Sequence, residues 1–158
     1  MYHNRHNAPR LHSFNYKGSY SYFLTLSCYK RNPYFLDSST VHLLIPILIT
    51  TSTKFDFTIY VYCFMPNHLH LLTTGGADAD LPRFVQAFKQ KSSYTFRCTK
   101  GMKLWQRSYY DHVLRHDEAL ADIAKYILNN PVRGGLVNDF REYEFSGSSI
   151  FDIGEIVI

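Results

Sequence analysis

The sequence is poor in cysteine and has no long hydrophobic run, and these shortages exclude several classes of protein. Its three cysteines are widely spaced and form no Cys-x-x-Cys pair, which fits the reduced thiols of a cytoplasmic protein and excludes a disulfide framework or a zinc ribbon. The longest apolar run, 41–49, is short and contains Pro46, so we expect no membrane span. Residues 1–12 are polar, so we expect no signal sequence either.

The composition is that of one folded domain. The chain has 158 residues, of which 46% are hydrophobic and 16% aromatic. That is enough for one core of ordinary size and too little for two, so we expect a single domain over residues 1–158. Within it, residues 1–12 predict a flexible arm and residues 138–158 a short C-terminal tail.

Positive charge is concentrated in the middle of the chain. The formal charge is +4, and residues 81–133 contain ten Lys or Arg against four Asp or Glu, whereas residues 134–158 contain one against five. A stretch of this kind can bind nucleic-acid phosphates. On charge alone, a solvated helical face explains it better.

Hydrophobic patterns predict four strands. Aromatic and β-branched or alternating stretches place them at 20–29, 55–64, 68–74 and 109–115. A turn at Met65-Pro66-Asn67 makes the second and third strands a hairpin.

Three helices are predicted from apolar residues three and four apart. The first begins from a cap at Ser38 or Ser39, and the second is capped by Asp80. The third follows Asp117 and is stopped by Pro131. The first six elements match the split β-α-β plan, so we predict an α+β, ferredoxin-like (RRM-like) antiparallel sheet with helices on one face.

Two histidines stand one residue apart in the predicted strand 68–74. Alternate side chains of a strand share a face, so His68 and His70 point the same way. Two imidazoles on a rigid strand can hold one metal ion. A His-x-His sequence taken alone is nevertheless more often structural.

The third predicted helix carries a second pair of polar side chains. Tyr126 and Asn130 are four residues apart and therefore lie on one helix face. On general grounds Asn130 can equally be a C-terminal cap, and Tyr126 a half-buried helix tyrosine.

Three segments together give the chain a family resemblance. They are Cys-Phe-Met-Pro-Asn-His-Leu-His-Leu-Leu from Cys63, Trp-Gln-Arg-Ser-Tyr-Tyr-Asp-His-Val-Leu-Arg from Trp105, and Tyr-Ile-Leu-Asn-Asn-Pro-Val-Arg-Gly-Gly-Leu-Val from Tyr126. In this order they resemble the single-tyrosine HUH transposases, which comprise the insertion sequence 200-like family and its relatives, the REP-associated tyrosine transposases. The resemblance implies a ferredoxin-like fold of the HUH endonuclease type.

The resemblance also implies the roles of four residues. His68 and His70 would be the histidines of the HUH metal site, and Tyr126 the nucleophile. The third ligand of the family lies four positions after the tyrosine and is commonly Gln in insertion-sequence enzymes. Here it is Asn130, which resembles the Asn-Pro pattern of the REP-associated branch.

The implied function is a metal-dependent transposase that cleaves and rejoins single-stranded DNA, often recognised as a hairpin, through a covalent 5′-phosphotyrosine. Two neutral imidazoles and one amide oxygen suit Mg²⁺ or Mn²⁺, with imidazole favouring Mn²⁺, and zinc is a rival on ligand chemistry alone. The metal would polarise the scissile phosphate, because a phenol is a weak nucleophile at neutral pH.

With DNA as the expected substrate, the basic stretch becomes a candidate DNA-binding surface. Trp105, Tyr109 and Tyr110 could stack on unpaired bases or belong to the core. The candidates for phosphate contacts are Lys89, Lys91, Arg97, Lys103 and Arg107.

Two other functions stay open at this stage. One is a catalytically inactive or domesticated module of the same fold that binds single-stranded nucleic acid without cutting it. The other is a small zinc hydrolase, which would need a general base near the metal. The resemblance also leaves open whether the protein acts as a homodimer, like insertion-sequence enzymes, or as a monomer.

Overall fold

The computed structural model describes residues 11, 13–115 and 120–156. The predicted arm over residues 1–12 therefore lies outside the described residues apart from Leu11, and so does Asp117. The strands are β1 (Ser21–Ser27), β2 (Phe57–Met65), β3 (His68–Gly75), β4 (Tyr110–Val113) and β5 (Ser146–Gly147). The α-helices are α1 (Ser38–Lys54), α2 (Leu81–Lys100), α3 (Leu120–Leu128) and α4 (Asn130–Arg133).

The strands form one antiparallel sheet in the order β4-β1-β3-β2-β5. With α1 between β1 and β2 and α2 between β3 and β4, the first four strands confirm the predicted ferredoxin-like plan. The β2–β3 hairpin closes through a two-residue turn, Pro66-Asn67, because Met65 still pairs with His68.

The main core lies between one face of the sheet and the helices α1 and α2. Leu24 of β1 and Leu71 of β3 belong to the same buried cluster as Leu44 of α1 and Phe88 of α2. The four apolar residues at the start of α2 recur at three- and four-residue spacing, and all four are buried against the sheet. The prediction of helices on one face therefore holds for these two helices.

A second, smaller cluster lies on the opposite face of the sheet, under α3. Phe23 of β1 and Leu72 of β3 are buried there with Ile123 and Ile127 of α3. Since successive strand residues point to opposite faces, the odd-numbered Phe23 faces α3 while its neighbour Leu24 faces α1 and α2. The histidine strand β3 is thus buried on both sides.

A β-bulge in β2 serves this two-sided packing. The register with β3 shifts between Ile59 and Val61. Ile59 is buried under α1 and α2, but Val61 and Cys63 are buried under α3. The extra residue at the bulge reverses the alternation, so the end of β2 beside the histidines faces α3.

The helix boundaries correct two predictions. The cap of α1 is Asp37, whose carboxylate accepts from the backbone N–H of Ser39, and not Ser38 or Ser39. The third helix ends at Leu128, before Pro131, and Pro131 lies in the first turn of α4. Proline has no N–H to donate, which disrupts a helix interior but costs nothing in a first turn.

The segment predicted as a C-terminal tail packs onto the sheet. Tyr143 is buried, and its hydroxyl donates to the backbone carbonyl of Phe64 at 2.6 Å. β5, which is too short for a sequence pattern to show, pairs with β2 through Tyr62 and Cys63. The segment 143–147 therefore completes one edge of the sheet.

The described residues also bear on the exclusions drawn from composition. None of the described helices has the length and apolarity needed to cross a bilayer. All three cysteines are free thiols, with Cys28 and Cys63 buried and Cys98 exposed. A disulfide framework is therefore absent from this part of the chain.

Candidate active site

The two histidines of β3 converge on the face that α3 covers. Nε2 of His68 lies 3.1 Å from Nε2 of His70, and the rings meet edge to face with their centroids 4.5 Å apart. His70 is 8% exposed, and His68 is half-buried. The strand alternation predicted this convergence, and the structure places both imidazoles as expected.

The outer nitrogen of each ring is held by a polar neighbour. Nδ1 of His68 donates to the carboxamide oxygen of Asn67 at 2.6 Å, which leaves Nε2 with a lone pair. Nδ1 of His70 bonds to the Thr25 hydroxyl at 3.0 Å. This arrangement, with one nitrogen anchored and the other directed inward, is that of metal-ligating histidines.

The spacing of the two inner nitrogens fits a shared metal ion. Imidazole nitrogens at about 2.0–2.1 Å from one ion and adjacent in its coordination sphere lie roughly 3 Å apart. Within the described residues, no group of three or more His, Cys, Asp or Glu side chains is placed to hold a metal. An ion bound at the pair would therefore complete its coordination with other donors, such as an amide oxygen, a substrate oxygen or water.

The electrostatics keep His70 neutral. Burial lowers its pKa well below the usual value, and the neighbouring His68 imidazole and the positive charge of Arg133 lower it further. A neutral imidazole can bind a metal without first losing a proton.

Tyr126 of α3 reaches the same place. Its ring is 6.5 Å from that of His70 and 6.1 Å from that of Phe23, measured between centroids, and it meets Phe23 edge to face. Ile123 and Ile127 are buried on the sheet, and this packing holds the side of α3 that carries Tyr126 against the histidine strand. The side chain is half-buried.

Asn130 is the first residue of α4, on the chain segment that follows Tyr126. Its amide nitrogen donates to the backbone carbonyl of Tyr126 at 3.1 Å, so the amide oxygen is the atom left to act as a ligand. The next turn of chain lies beside the hairpin end, because a β-carbon at Gly134 would be 3.4 Å from Cε of Met65. Met65 is the pairing partner of His68.

Comparison with known proteins places this constellation in a family. Residues 16–130, which include the histidines, Tyr126 and Asn130, match the family model described as "Transposase IS200 like". The chain belongs to the IS200-like transposase family.

Two curated proteins that are similar to this chain are named as REP-associated tyrosine transposases. A REP-associated tyrosine transposase of Escherichia coli strain K12 is 26% identical over 129 residues, covering 80% of this chain and 74% of the relative. A Haemophilus influenzae protein whose name assigns it to the same group is 26% identical over 113 residues. That alignment covers 61% of each chain, so this chain spans less than two thirds of that relative.

Solved structures share the fold. A structure described as a REP-associated tyrosine transposase bound to a REP hairpin superposes with a TM-score of 0.73, at 23% identity, covering 88% of this chain and 82% of that one. A Deinococcus radiodurans R1 structure described as a transposase gives 0.54, also at 23% identity, covering 78% and 97%. Both superpositions support the HUH-type fold predicted from the sequence.

Three of the five predicted DNA-binding residues of this IS200-like chain lie on the other side of the sheet from the histidines. α2, which carries Lys89, Lys91 and Arg97, packs on the opposite face of the sheet. Lys89 donates from Nζ to the carbonyls of Gln106 and Arg107, at 2.6 and 3.1 Å. These contacts join α2 to the segment that leads into β4.

An open groove of about 580 Å³ runs between α2 and that segment. Lys89, Arg97 and Arg107 line it, together with Tyr109 and the exposed Tyr94. Lys91 is exposed outside the lining, and the Lys103 ammonium stacks 4.6 Å from the ring centre of Tyr29.

Of the aromatic candidates, Trp105 is a core residue. It is buried, and its indole N–H donates to the hydroxyl of Ser92 at 2.8 Å. Tyr109 lines the groove, whereas the next residue, Tyr110, meets the ring of Phe23 at 6.3 Å on the histidine face.

Three residues of the site were not predicted from the sequence. Thr25 and Phe23 contact His70 from β1, and Arg133 lies over the Tyr126 ring with Cζ 4.9 Å from its centroid. The positions in β1 become visible only from the register with β3, in which Thr25 pairs with His70. Arg133 belongs to the third segment of the family resemblance, but at seven residues after Tyr126 it lies beyond the three- and four-residue spacing at which helix side chains are direct neighbours.

Proposed function

We propose that this protein is a metal-dependent transposase that cleaves and rejoins single-stranded DNA through a covalent 5′-phosphotyrosine on Tyr126. The observation that carries the proposal is the convergence of Tyr126 on a histidine pair whose inner nitrogens are 3.1 Å apart. Membership of the IS200-like family supports the same class of chemistry.

In the proposed first step, the phenolic oxygen of Tyr126 forms a bond to the phosphorus of a DNA phosphodiester. The bond from phosphorus to the 3′ oxygen breaks, the phenol releases its proton to solvent, and the 3′ oxygen takes up a proton. Attack on the tyrosyl ester by a 3′-hydroxyl, of the same or another strand, reverses these changes and rejoins the DNA. No nucleotide cofactor is consumed, because one phosphate ester replaces another.

Different residues of the site have different roles in this reaction. A divalent ion, Mg²⁺ or Mn²⁺, held by His68, His70 and the amide oxygen of Asn130 would supply Lewis-acid polarisation of the scissile phosphate. Thr25 and Asn67 keep the two imidazoles oriented through their Nδ1 atoms. Phe23 of β1 packs against the Tyr126 ring and so limits the positions that the phenol can take.

We propose hairpin DNA as the substrate, as named for the structural neighbour bound to a REP hairpin. The basic groove along α2 is the surface we assign to phosphates, since Arg97 and Arg107 line it and Tyr109 offers a face for stacking. Tyr109 and Tyr110 are adjacent at edge strand β4, so a strand leaving the groove can pass over this edge toward Tyr126.

The decisive experiment is capture of the covalent adduct. The substrate is a labelled oligonucleotide that carries an imperfect palindrome from the DNA flanking the gene, with its single-stranded flanks. Wild-type protein with Mn²⁺ should give a protein–DNA band on a denaturing gel, and Tyr126→Phe should give none while binding the oligonucleotide as tightly. Tyr20→Phe, at an exposed tyrosine just before β1 and outside the groove lining, is the matched control and should react normally.

The outcomes also separate the competing functions. An adduct that survives Tyr126→Phe would show that another residue is the nucleophile. Tight binding with no adduct or nick, unaffected by a chelator, would favour the non-cutting binding module. Hydrolysis of a phosphodiester that is not DNA, with zinc bound, would favour the small hydrolase.

A further inference from the structure

Arg133 lies at the candidate active site but is neither a proposed metal ligand nor the proposed nucleophile. Cζ of its guanidinium lies 4.9 Å from the centre of the Tyr126 ring. The Tyr126 ring is in turn 6.5 Å from the ring of His70, measured between centroids. Arg133 therefore lies beside the proposed nucleophile, next to the place where a scissile phosphate would have to bind.

The backbone of α4 determines the position of Arg133. Arg133 is the last residue of α4, a single turn that begins directly after the break at Asn129. The backbone N–H of Arg133 donates to the carbonyl of Asn129 at 2.9 Å, and the next residue, Gly134, packs close to Met65.

The charge of Arg133 is available for a ligand. Within the described residues, no carboxylate lies within ion-pair distance of its guanidinium, in contrast to Arg141, which is paired with Asp139 at 2.8 Å. The side chain is exposed, so an incoming anion can reach it. Two imidazoles and an amide add no negative charge, so nothing in the proposed ligand set would compensate this cation.

The proposed cleavage reaction develops negative charge on the phosphate, which the Arg133 guanidinium can stabilise. A phosphodiester carries one negative charge, and a second develops on its non-bridging oxygens as the phenolic oxygen adds. A guanidinium offers donors in a planar fork that matches two phosphate oxygens.

We propose that Arg133 is a further catalytic residue, which binds a non-bridging oxygen of the scissile phosphate and stabilises its charge during attack by Tyr126. This role rests on the proposed function. It requires Arg133 for the chemical step and not for holding the hairpin or for the fold.

The test compares Arg133→Ala and Arg133→Lys with wild type in single-turnover adduct formation on the palindromic oligonucleotide. Arg133→Ala should slow adduct formation by about 100-fold or more, as loss of one preorganised transition-state donor does. Arg133→Lys should recover part of the rate, and added guanidinium chloride should accelerate Arg133→Ala but not Tyr126→Phe. Affinity for the oligonucleotide and the melting temperature should stay close to wild type, as for Lys54→Ala, an exposed charge on α1.

A neutral substrate separates charge stabilisation from a structural role. With a methylphosphonate at the scissile position, one charged oxygen is replaced by methyl, so the gap between wild type and Arg133→Ala should narrow. An undiminished gap, or a loss of binding equal to the loss of rate, would overturn the catalytic role and make Arg133 a positioning residue. A normal rate for Arg133→Ala beside a normal wild-type adduct would overturn the role alone, whereas absence of any wild-type adduct would overturn the proposed function with it.

Discussion

At the scale of single residues, Thr25 is the clearest link between the fold and the proposed metal chemistry. Thr25→Val keeps the shape and strand preference of the side chain but removes the hydroxyl that holds Nδ1 of His70. The imidazole loses its orienting bond, so we expect Mn²⁺ affinity to fall by about 10–100-fold in isothermal titration.

The matched control for this change is Thr58→Val, an exposed position on the neighbouring strand β2. It should bind Mn²⁺ like wild type. Equal affinities for Thr25→Val and Thr58→Val would mean that the hydroxyl does not support a metal ligand.

The site residues that were predicted have neighbours close in sequence, whereas those that were missed have neighbours beyond the reach of local spacing. His68 and His70 share a strand, and Tyr126 and Asn130 were linked by helical spacing, so local periodicity was enough to group each pair. Joining the two pairs required the family resemblance. Thr25, Phe23 and Arg133 are neighbours across strands or across a helix break, and local spacing carries no information about which residue lies opposite.

At the scale of elements, the start of α1 offers a test of electrostatics away from the site. Nζ of Lys100 lies 2.6 Å from Oδ2 of Asp37 and, with hydrogen bonds from Ser39, holds the pKa of Asp37 well below its ordinary value. A carboxyl whose pKa is lowered by folding stabilises the folded state fully above its ordinary pKa, and that contribution is lost progressively as the pH falls from the ordinary pKa through the lowered one.

Asp37→Asn should therefore lower the melting temperature at neutral pH, by a small amount because the pair is solvent-exposed. The difference from wild type should begin to shrink as the pH falls below about 4, where the carboxyl of the unfolded chain takes up a proton, and should keep shrinking toward the lowered pKa of the folded state. Asp78→Asn, at an exposed aspartate with no lysine partner in the described structure, serves as the control. A difference that does not vary with pH would assign the effect of Asp37 to capping alone.

Element prediction succeeded where the periodic signal was long and failed where the backbone was decided by one or two residues. β1 to β4 are found within a few residues of their predicted bounds, and α1 and α2 begin within two residues of their predicted starts. α1 even continues through Pro46, since its buried residues hold the helix to the core. The division between α3 and α4 and the two-residue strand β5 depend on local geometry and long-range pairing that leave no period in the sequence.

At the scale of the whole molecule, the structure bears on whether one chain suffices for catalysis. The ring centroids of Tyr126 and His70 are 6.5 Å apart within one chain, and α3 packs against β2 and β3 of that chain. We therefore expect the nucleophile and the metal ligands to act within one chain, whether or not the protein forms a homodimer.

Mixing two inactive variants tests this expectation. Neither Tyr126→Phe nor His68→Ala has both halves of the site, so sites assembled within one chain remain inactive after co-expression. The co-expressed variants should form no adduct above that of each variant alone. Recovery of adduct in mixed dimers would show that the tyrosine of one chain serves the histidines of another.

The α3-covered face of the sheet has one more consequence. In an RNA-recognition motif the equivalent surface is open, and bases spread across it. Here Phe23 is buried in the cluster under α3 and packs against His70, so this part of the sheet is not open as a platform for stacked bases. In the proposed reaction, a tyrosyl ester on the half-buried Tyr126 would be partly screened from bulk water by α3, which would favour capture by another DNA end over hydrolysis. The covered face would then help to preserve the energy of the broken strand until it is resealed.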